Sequence, residues 1–115
     1  MFYKVSKFDN QNNDNYNIII EALEFEWDEV KNNINKHKHN VSFEEAKTVF
    51  QDSSALIIDD PDHSEQEERF LILGFSSKAN LLVVCHCYRM NDSVIRIISA
   101  RKATLRESMY YNDWH

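Results

Sequence analysis

The sequence predicts an α+β fold: two N-terminal helices packed on a four-stranded or larger antiparallel sheet, with a C-terminal helix. Three observations predict it. Apolar residues recur at helical spacing up to Phe50 and alternate at period two from Ala55 onward. Short turn-rich segments, Ser76–Asn80 and Met90–Ser93, separate the later apolar runs, and such short connections require antiparallel neighbours. The last apolar run, Val94–Ala100, leads straight into a helix start. Strand, helix, helix, four strands, helix is an α+β order, with the helices expected on one face of a twisted sheet.

Each element has a local cause. Leu23–Trp27 alternates and reads as a strand. Asp28 is an N-cap for a helix over 29–37, with Val30 and Ile34 four apart on one face. Asn40 would close that helix in a left-handed turn. Ser42-Phe43-Glu44-Glu45 is a capping box: the Ser42 hydroxyl accepts from the Glu45 amide and the Glu45 carboxylate reaches back. Phe43, Ala46, Val49 and Phe50 are the stripe of this second helix. Ala55–Asp59 is a strand stopped by Asp60-Pro61-Asp62. Glu68–Phe75, Leu81–Tyr88 and Val94–Ala100 complete the sheet. The last helix begins near Lys102, or two residues later if the capping box Thr104-Leu105-Arg106-Glu107 sets the start, and runs to about Tyr110.

At 115 residues the chain forms one main domain, 23–115. Residues 1–22 read as a flexible or weakly structured N-terminal extension, because the amide-rich tract 10–17 has little apolar surface to bury. No apolar run approaches the roughly 20 residues of a membrane span. The first residues lack a secretory signal, so a cytoplasmic location is expected. Cys85 and Cys87 lie two apart on a strand, a spacing poorly suited to a disulfide, and read as reduced core cysteines. The single glycine, Gly74, excludes a glycine-rich phosphate loop.

Charge is unevenly divided. The whole chain carries −6; residues 1–68 carry −10 and residues 69–115 carry +4. Arg96, Arg101, Lys102 and Arg106 fall within eleven residues. A polyanion would be attracted to that part; alternatively the two parts neutralise each other within the fold. Strand alternation puts His86 with Leu82 and Val84, and Arg96 with Val94 and Ile98. If those faces coincide, His86 and Arg96 converge. RNA cleavage needs such a set: a base for the 2′-hydroxyl, an acid for the leaving oxygen, and cations for the pentacoordinate phosphate. Arginine suits the last role because its fork matches two phosphate oxygens. Lys36-His37-Lys38-His39 suits a helix C-terminus by its charge, and also offers Lys36 or His37 to a site. Trp27 reads as core or as a base-stacking platform. The acidic run 59–68 reads as a solvated turn or as carboxylates for a metal-dependent nuclease.

Several segments, in order, resemble one family. They are Phe25-Glu26-Trp27-Asp28, Lys36-His37, Val41 to Ala46, Val49-Phe50, Asp60 to Ser64, Glu67 to Phe70, Gly74, Leu82-Val83-Val84 with His86, Arg96 to Thr104, and Arg106-Glu107. Over about residues 25–112 the chain resembles the BrnT toxins of type II toxin–antitoxin systems. The resemblance implies a RelE-like fold. It implies an endoribonuclease that needs no metal or other cofactor and blocks translation. It also implies a BrnA-like antitoxin partner, through whose DNA-binding part the complex would reach operator DNA. On the matched positions Lys36, His37, Arg69, His86, Arg96 and Arg101 are the expected catalytic set, with Trp27 and Lys102 as substrate contacts. His86 or His37 would be the acid/base, and the arginines would hold phosphate. The alternative is an inactive homologue that only binds antitoxin or acts as a co-repressor. Residues 1–22 have no counterpart in the family pattern, and the net acidity departs from the basic character common in this fold.

Overall fold

Six strands form one sheet in the order β1-β3-β4-β5-β6-β2. The structure is a computed structural model that describes residues 3–4, 24–61 and 68–113. In chain order the elements are β1 (Tyr3–Lys4), β2 (Glu24–Glu26), α1 (Glu29–His39), α2 (Phe43–Lys47, continued by a 3-10 turn Thr48–Gln51), β3 (Leu56–Asp59), β4 (Phe70–Phe75), β5 (Leu81–Arg89), β6 (Val94–Lys102) and α3 (Leu105–Asp113). The four strands β3 to β6 pair antiparallel in sequence order, as expected. β2 lies beside β6 and runs parallel to it. β1 pairs with β3, so part of the segment read as an extension joins the sheet. The tract 10–17, and residues 62–67 of the acidic run, lie outside the described residues. Among the described residues no helix is long and apolar enough to cross a membrane.

The two sheet faces are packed differently. One face carries Ile72, Leu82, Val84, Ile95, Ile97 and Ala100 against Val41, Phe43, Ala46, Val49 and Phe50 of the α1–α2 layer. The other carries Leu56, Ile58, Leu73 and Val83 against Tyr111 of α3. The C-terminal helix therefore covers the face opposite α1 and α2, not the same one. α3 covers only part of that face.

The caps form largely as the residues dictate. Asp28 Oδ1 accepts from the Val30 amide at 2.8 Å, and Asn40 takes φ 56°. Ser42 Oγ accepts from the Glu45 amide at 3.0 Å, but the Glu45 carboxylate does not reach back. It is buried and accepts from Ser76 Oγ at 2.6 Å and Asn80 Nδ2 at 2.8 Å, tying α2 to the β4–β5 turn. At the C-terminal helix the reciprocal box is complete. Thr104 N donates to Glu107 Oε1 at 2.8 Å, and Glu107 N donates to Thr104 Oγ1 at 3.1 Å. Lys102 belongs to β6, and the box sets the later start. Gly74 is required by closeness: a Cβ there would meet Val49 Cγ1 at 3.0 Å and Ala55 Cβ at 3.1 Å.

α1 exposes its apolar pair and buries amides. Val30 and Ile34 are 67% and 58% exposed, and the buried side chains are Asn32 and Asn35. These amides supply fixed hydrogen bonds where apolar stripes supply contact. Asn32 Oδ1 accepts from Phe43 N at 2.8 Å, and its Nδ2 donates to Glu29 and Glu44. Asn35 Oδ1 accepts from Ala100 N at 3.1 Å, while its Nδ2 donates to the Ala100 carbonyl at 2.7 Å and the Val41 carbonyl at 2.8 Å. β2 stops beside Arg96, so Asn35 serves Ala100 as a neighbouring strand would. Asn35→Ala leaves the buried Ala100 groups unpaired and is expected to cost about 2–4 kcal/mol. Ile34→Ala, at an exposed position, is expected to stay within about 0.5 kcal/mol. Urea denaturation of both variants checks this; equal losses would refute the assignment of α1's faces.

Candidate active site

The cations of the second half are sorted by strand parity and by one irregularity. Along β5 and β6 the pairing runs Val83↔Arg101, Val84↔Ala100 and Cys85↔Ser99, and then shifts by one residue to His86↔Ile97 and Cys87↔Arg96. Ile98 is the extra residue of a β-bulge. Residues directly opposite share a face, so Arg96 faces with Cys87 and Arg101 faces with Val83. Both lie on the face that α3 partly covers. His86 lies on the other face, under Phe50. The expected convergence of His86 and Arg96 therefore does not occur. A regular ladder would have set Ile98 opposite His86 and brought Arg96 to its side; one bulged residue reverses that.

An open cleft of about 1200 Å³ lies at the end of β4, β5 and β6, and Lys31 of α1 reaches its wall. Lys31, Arg69, Arg89 and Arg96 line it, together with Glu68, Asp92, Phe70, Cys87, Tyr88 and Ile98. Arg96 is oriented from β2: its Nη1 donates to Glu26 Oε2 at 2.7 Å, and Arg89 Nε reaches the same oxygen at 3.1 Å. One carboxylate thus holds two cleft arginines. Arg101 stands further along β6, outside the cleft lining, and Glu107 grips it with two bonds of 2.7 and 2.9 Å. That pairing raises the Arg101 pKa and lowers that of Glu107.

The other expected site residues are dispersed. Lys36 and His37 are exposed on the last turn of α1 and do not line the cleft. Trp27 is half-buried edge-on to Phe43, with its indole N–H donating to Glu29 at 3.0 Å. Lys102 is exposed at the end of β6, opposite Leu82 and so on the α1–α2 face. His86 is fully buried among Phe50, Phe70 and Tyr88. Burial pushes its pKa down to about 4, so the ring is neutral near pH 7. Cys85 and Cys87 are buried, as core cysteines are. Burial and a hydrogen bond to Asp60 push the Cys85 pKa up to about 12, which makes it a poor nucleophile.

From sequence, Lys31, Arg89 and Asp92 have no role, Glu26 stands only within a family motif, and Glu68 only within the acidic run 59–68 and a family motif. Arg89 could have been singled out, since it shares strand parity with Cys87 on β5. Lys31 could not, because its place depends on how α1 is turned.

The sheet, its two helical layers and the basic cleft define a class before a family. The fold is shared with the crystal structure of the ribonuclease toxin BrnT of Brucella abortus. The TM-score is 0.53 and the identity 21%, over 71% of this chain and 97% of that one. The family model described as the ribonuclease toxin BrnT of type II toxin–antitoxin systems matches residues 27–107. The chain belongs to this family, and a type II family implies a protein antitoxin as partner. A comparison with curated proteins gave no match.

The buried ring makes a pH signature. Unfolded His86 takes a proton near pH 6.5, whereas the folded form resists it down to about 4. Its contribution to stability is full above 6.5 and is lost as pH falls toward 4, with a slope of at most about 1.4 kcal/mol per pH unit. His86→Leu is expected to flatten the stability–pH curve in that window by this amount. Chemical denaturation at several pH values from 4 to 7 measures it; an unchanged slope would refute the buried neutral ring.

Proposed function

We propose that this chain is an active endoribonuclease toxin that cleaves RNA without a metal ion, arrests translation in the cytoplasm, and is neutralised by a BrnA-like antitoxin through which the complex reaches operator DNA. One observation carries the reading. In a member of the BrnT family, Lys31, Arg69, Arg89 and Arg96 line a single open cleft. An acidic chain (net −6) that concentrates cations in one concavity attracts phosphate there whatever its total charge.

The chemistry follows from the groups in the cleft. The RNA 2′-hydroxyl oxygen attacks the adjacent phosphorus as a carboxylate takes its proton. The bond from phosphorus to the 5′-oxygen breaks and that oxygen receives a proton, leaving a 2′,3′-cyclic phosphate. Arg69 and Arg96 hold the phosphoryl oxygens as charge builds on them. Glu68 and Asp92, which line the cleft, replace His86 and His37 as the proton-handling groups in this proposal. His86 supports the sheet from its opposite face. Arg101 lies on the same face as Arg96 and binds the flanking phosphate when Glu107 yields it. Lys36, His37, Trp27 and Lys102 are assigned no step.

The pairs made by Glu26 do not prevent phosphate binding. Arg96 and Glu26 are each about one-third exposed, and such pairs contribute only about 0–1 kcal/mol. A dianionic transition state competes easily with that. The same pairs support a second reading, an inactive homologue whose arginines are structural and whose task is antitoxin binding.

Incubation of the purified chain with RNA in excess chelator separates the two. Cleavage to cyclic-phosphate or 3′-phosphate ends is expected, and Arg69→Ala or Arg96→Ala is expected to slow it at least about 100-fold. In cells the wild type should arrest growth and the Arg96→Ala, Arg101→Ala double variant should not. Intact RNA with the wild type would sink the catalytic reading, and equal toxicity of the double variant would sink the site.

A further inference from the structure

α1 carries an apolar face that nothing in the described fold covers. Val30, Ile34 and His37 follow one another at i, i+4 and i+7 on the side opposite the buried Asn32 and Asn35. The first two are 67% and 58% exposed. Lys31 and Lys38 flank the stripe on one side, and both are exposed. Spacing that ordinarily marks a core-facing helix here marks a face whose partner is elsewhere.

The geometry points to this stripe as the seat of an acidic amphipathic helix of the protein antitoxin. The inference rests on the toxin reading above and adds where neutralisation occurs. Apolar anchors four apart fit a helix laid alongside, with its own apolar residues at i and i+3 or i+4. The flanking charge selects the sign of the partner. Residues 1–68 carry −10, yet Lys31 and Lys38 flank the stripe, while Lys36 lies on the far side of the helix beside Glu44, so an acidic helix is attracted to this flank and repelled by the rest of this half. A second copy of the chain using the same stripe would set lysines against lysines. Phosphate gains nothing from Val30 and Ile34, so RNA is not the occupant. Lys31 also lines the cleft, so a helix seated on the stripe borders the cleft mouth. Seat and blockade then coincide.

A comparable exposed pair, Leu105 and Met109 on α3, provides an internal control. The purified chain is titrated calorimetrically with the antitoxin encoded in the neighbouring reading frame, at low and high salt. Val30→Asp with Ile34→Asp is expected to weaken binding at least 100-fold while leaving chelator-resistant RNA cleavage unchanged. Lys38→Glu is expected to weaken it at least 5-fold at low salt and less at high salt. Leu105→Asp with Met109→Asp is expected to bind within 3-fold of wild type. Circular dichroism melts show that the exposed-site variants fold.

Wild-type affinity in the Val30/Ile34 variant, or loss confined to the α3 variant, overturns the seat and leaves the toxin reading standing. A wild type that binds antitoxin through the stripe but cleaves no RNA overturns catalysis and leaves the seat standing. No binding by the wild type overturns the seat and the antitoxin partner, while the cleavage assay alone decides catalysis. A wild-type dimer in sedimentation that Val30→Asp with Ile34→Asp dissolves would assign the stripe to self-association and overturn the proposal.

Discussion

One extra residue in β6 organises the site. The bulge at Ile98 changes the parity of everything before it relative to everything after it. Arg96 and Arg101 are five apart, and in an unbroken strand they would point to opposite faces. With the bulge they share one. The same change sends Arg96 away from His86 and into a cleft with Arg69 and Arg89. Bulges re-aim side chains at a small local cost to the ladder. Here the ladder is supported on the next turn by Asn35, whose amide bonds both backbone groups of Ala100.

The electrostatics fit a cleft poised for exchange. Glu26 holds Arg89 and Arg96, and Glu107 holds Arg101, so the arginines are oriented before any ligand arrives. The Glu26 pairs are part-exposed and of the kind that contributes about 0–1 kcal/mol, whereas Glu107 grips Arg101 with two bonds from a side chain only 16% exposed. Glu107 has a second duty, since it also caps α3 through Thr104. Asp52 ties the two helical layers through the sheet: its Oδ2 accepts from Phe75 N and from the Tyr111 hydroxyl, each at 2.8 Å. Burial and that carboxylate push the Tyr111 pKa up to about 12, so the phenol remains a donor.

Much of the architecture was legible in the chain. The caps at Asp28, Asn40, Ser42 and Thr104 are local, each satisfied by atoms a few residues away, and spacing alone locates them. The period change near residue 50 marks where helices give way to strands. Several shortfalls share one cause. The spacing puts Val30 and Ile34 on one face of α1, but it cannot say whether that face is covered within the chain. Glu45 read as a reciprocal cap, but the β4–β5 turn, 31 residues later, supplied a better-placed hydroxyl. His86 read as converging with Arg96 because strand alternation alone does not reveal a one-residue bulge.

The sequence by itself determined the element types, their order, the antiparallel meander, the division of charge and the membership of the family. Those depend on short-range periodicity, on capping chemistry and on residue identity. Only the tertiary structure decided which cations meet. That choice depends on a one-residue bulge, on a parallel β2 that brings Glu26 to Arg96, and on the rotation of α1 that buries two asparagines and brings Lys31 to the cleft. Each is set by contacts between residues far apart in the chain. Local spacing has no access to such contacts, because register and helix rotation are chosen by the surfaces they bury.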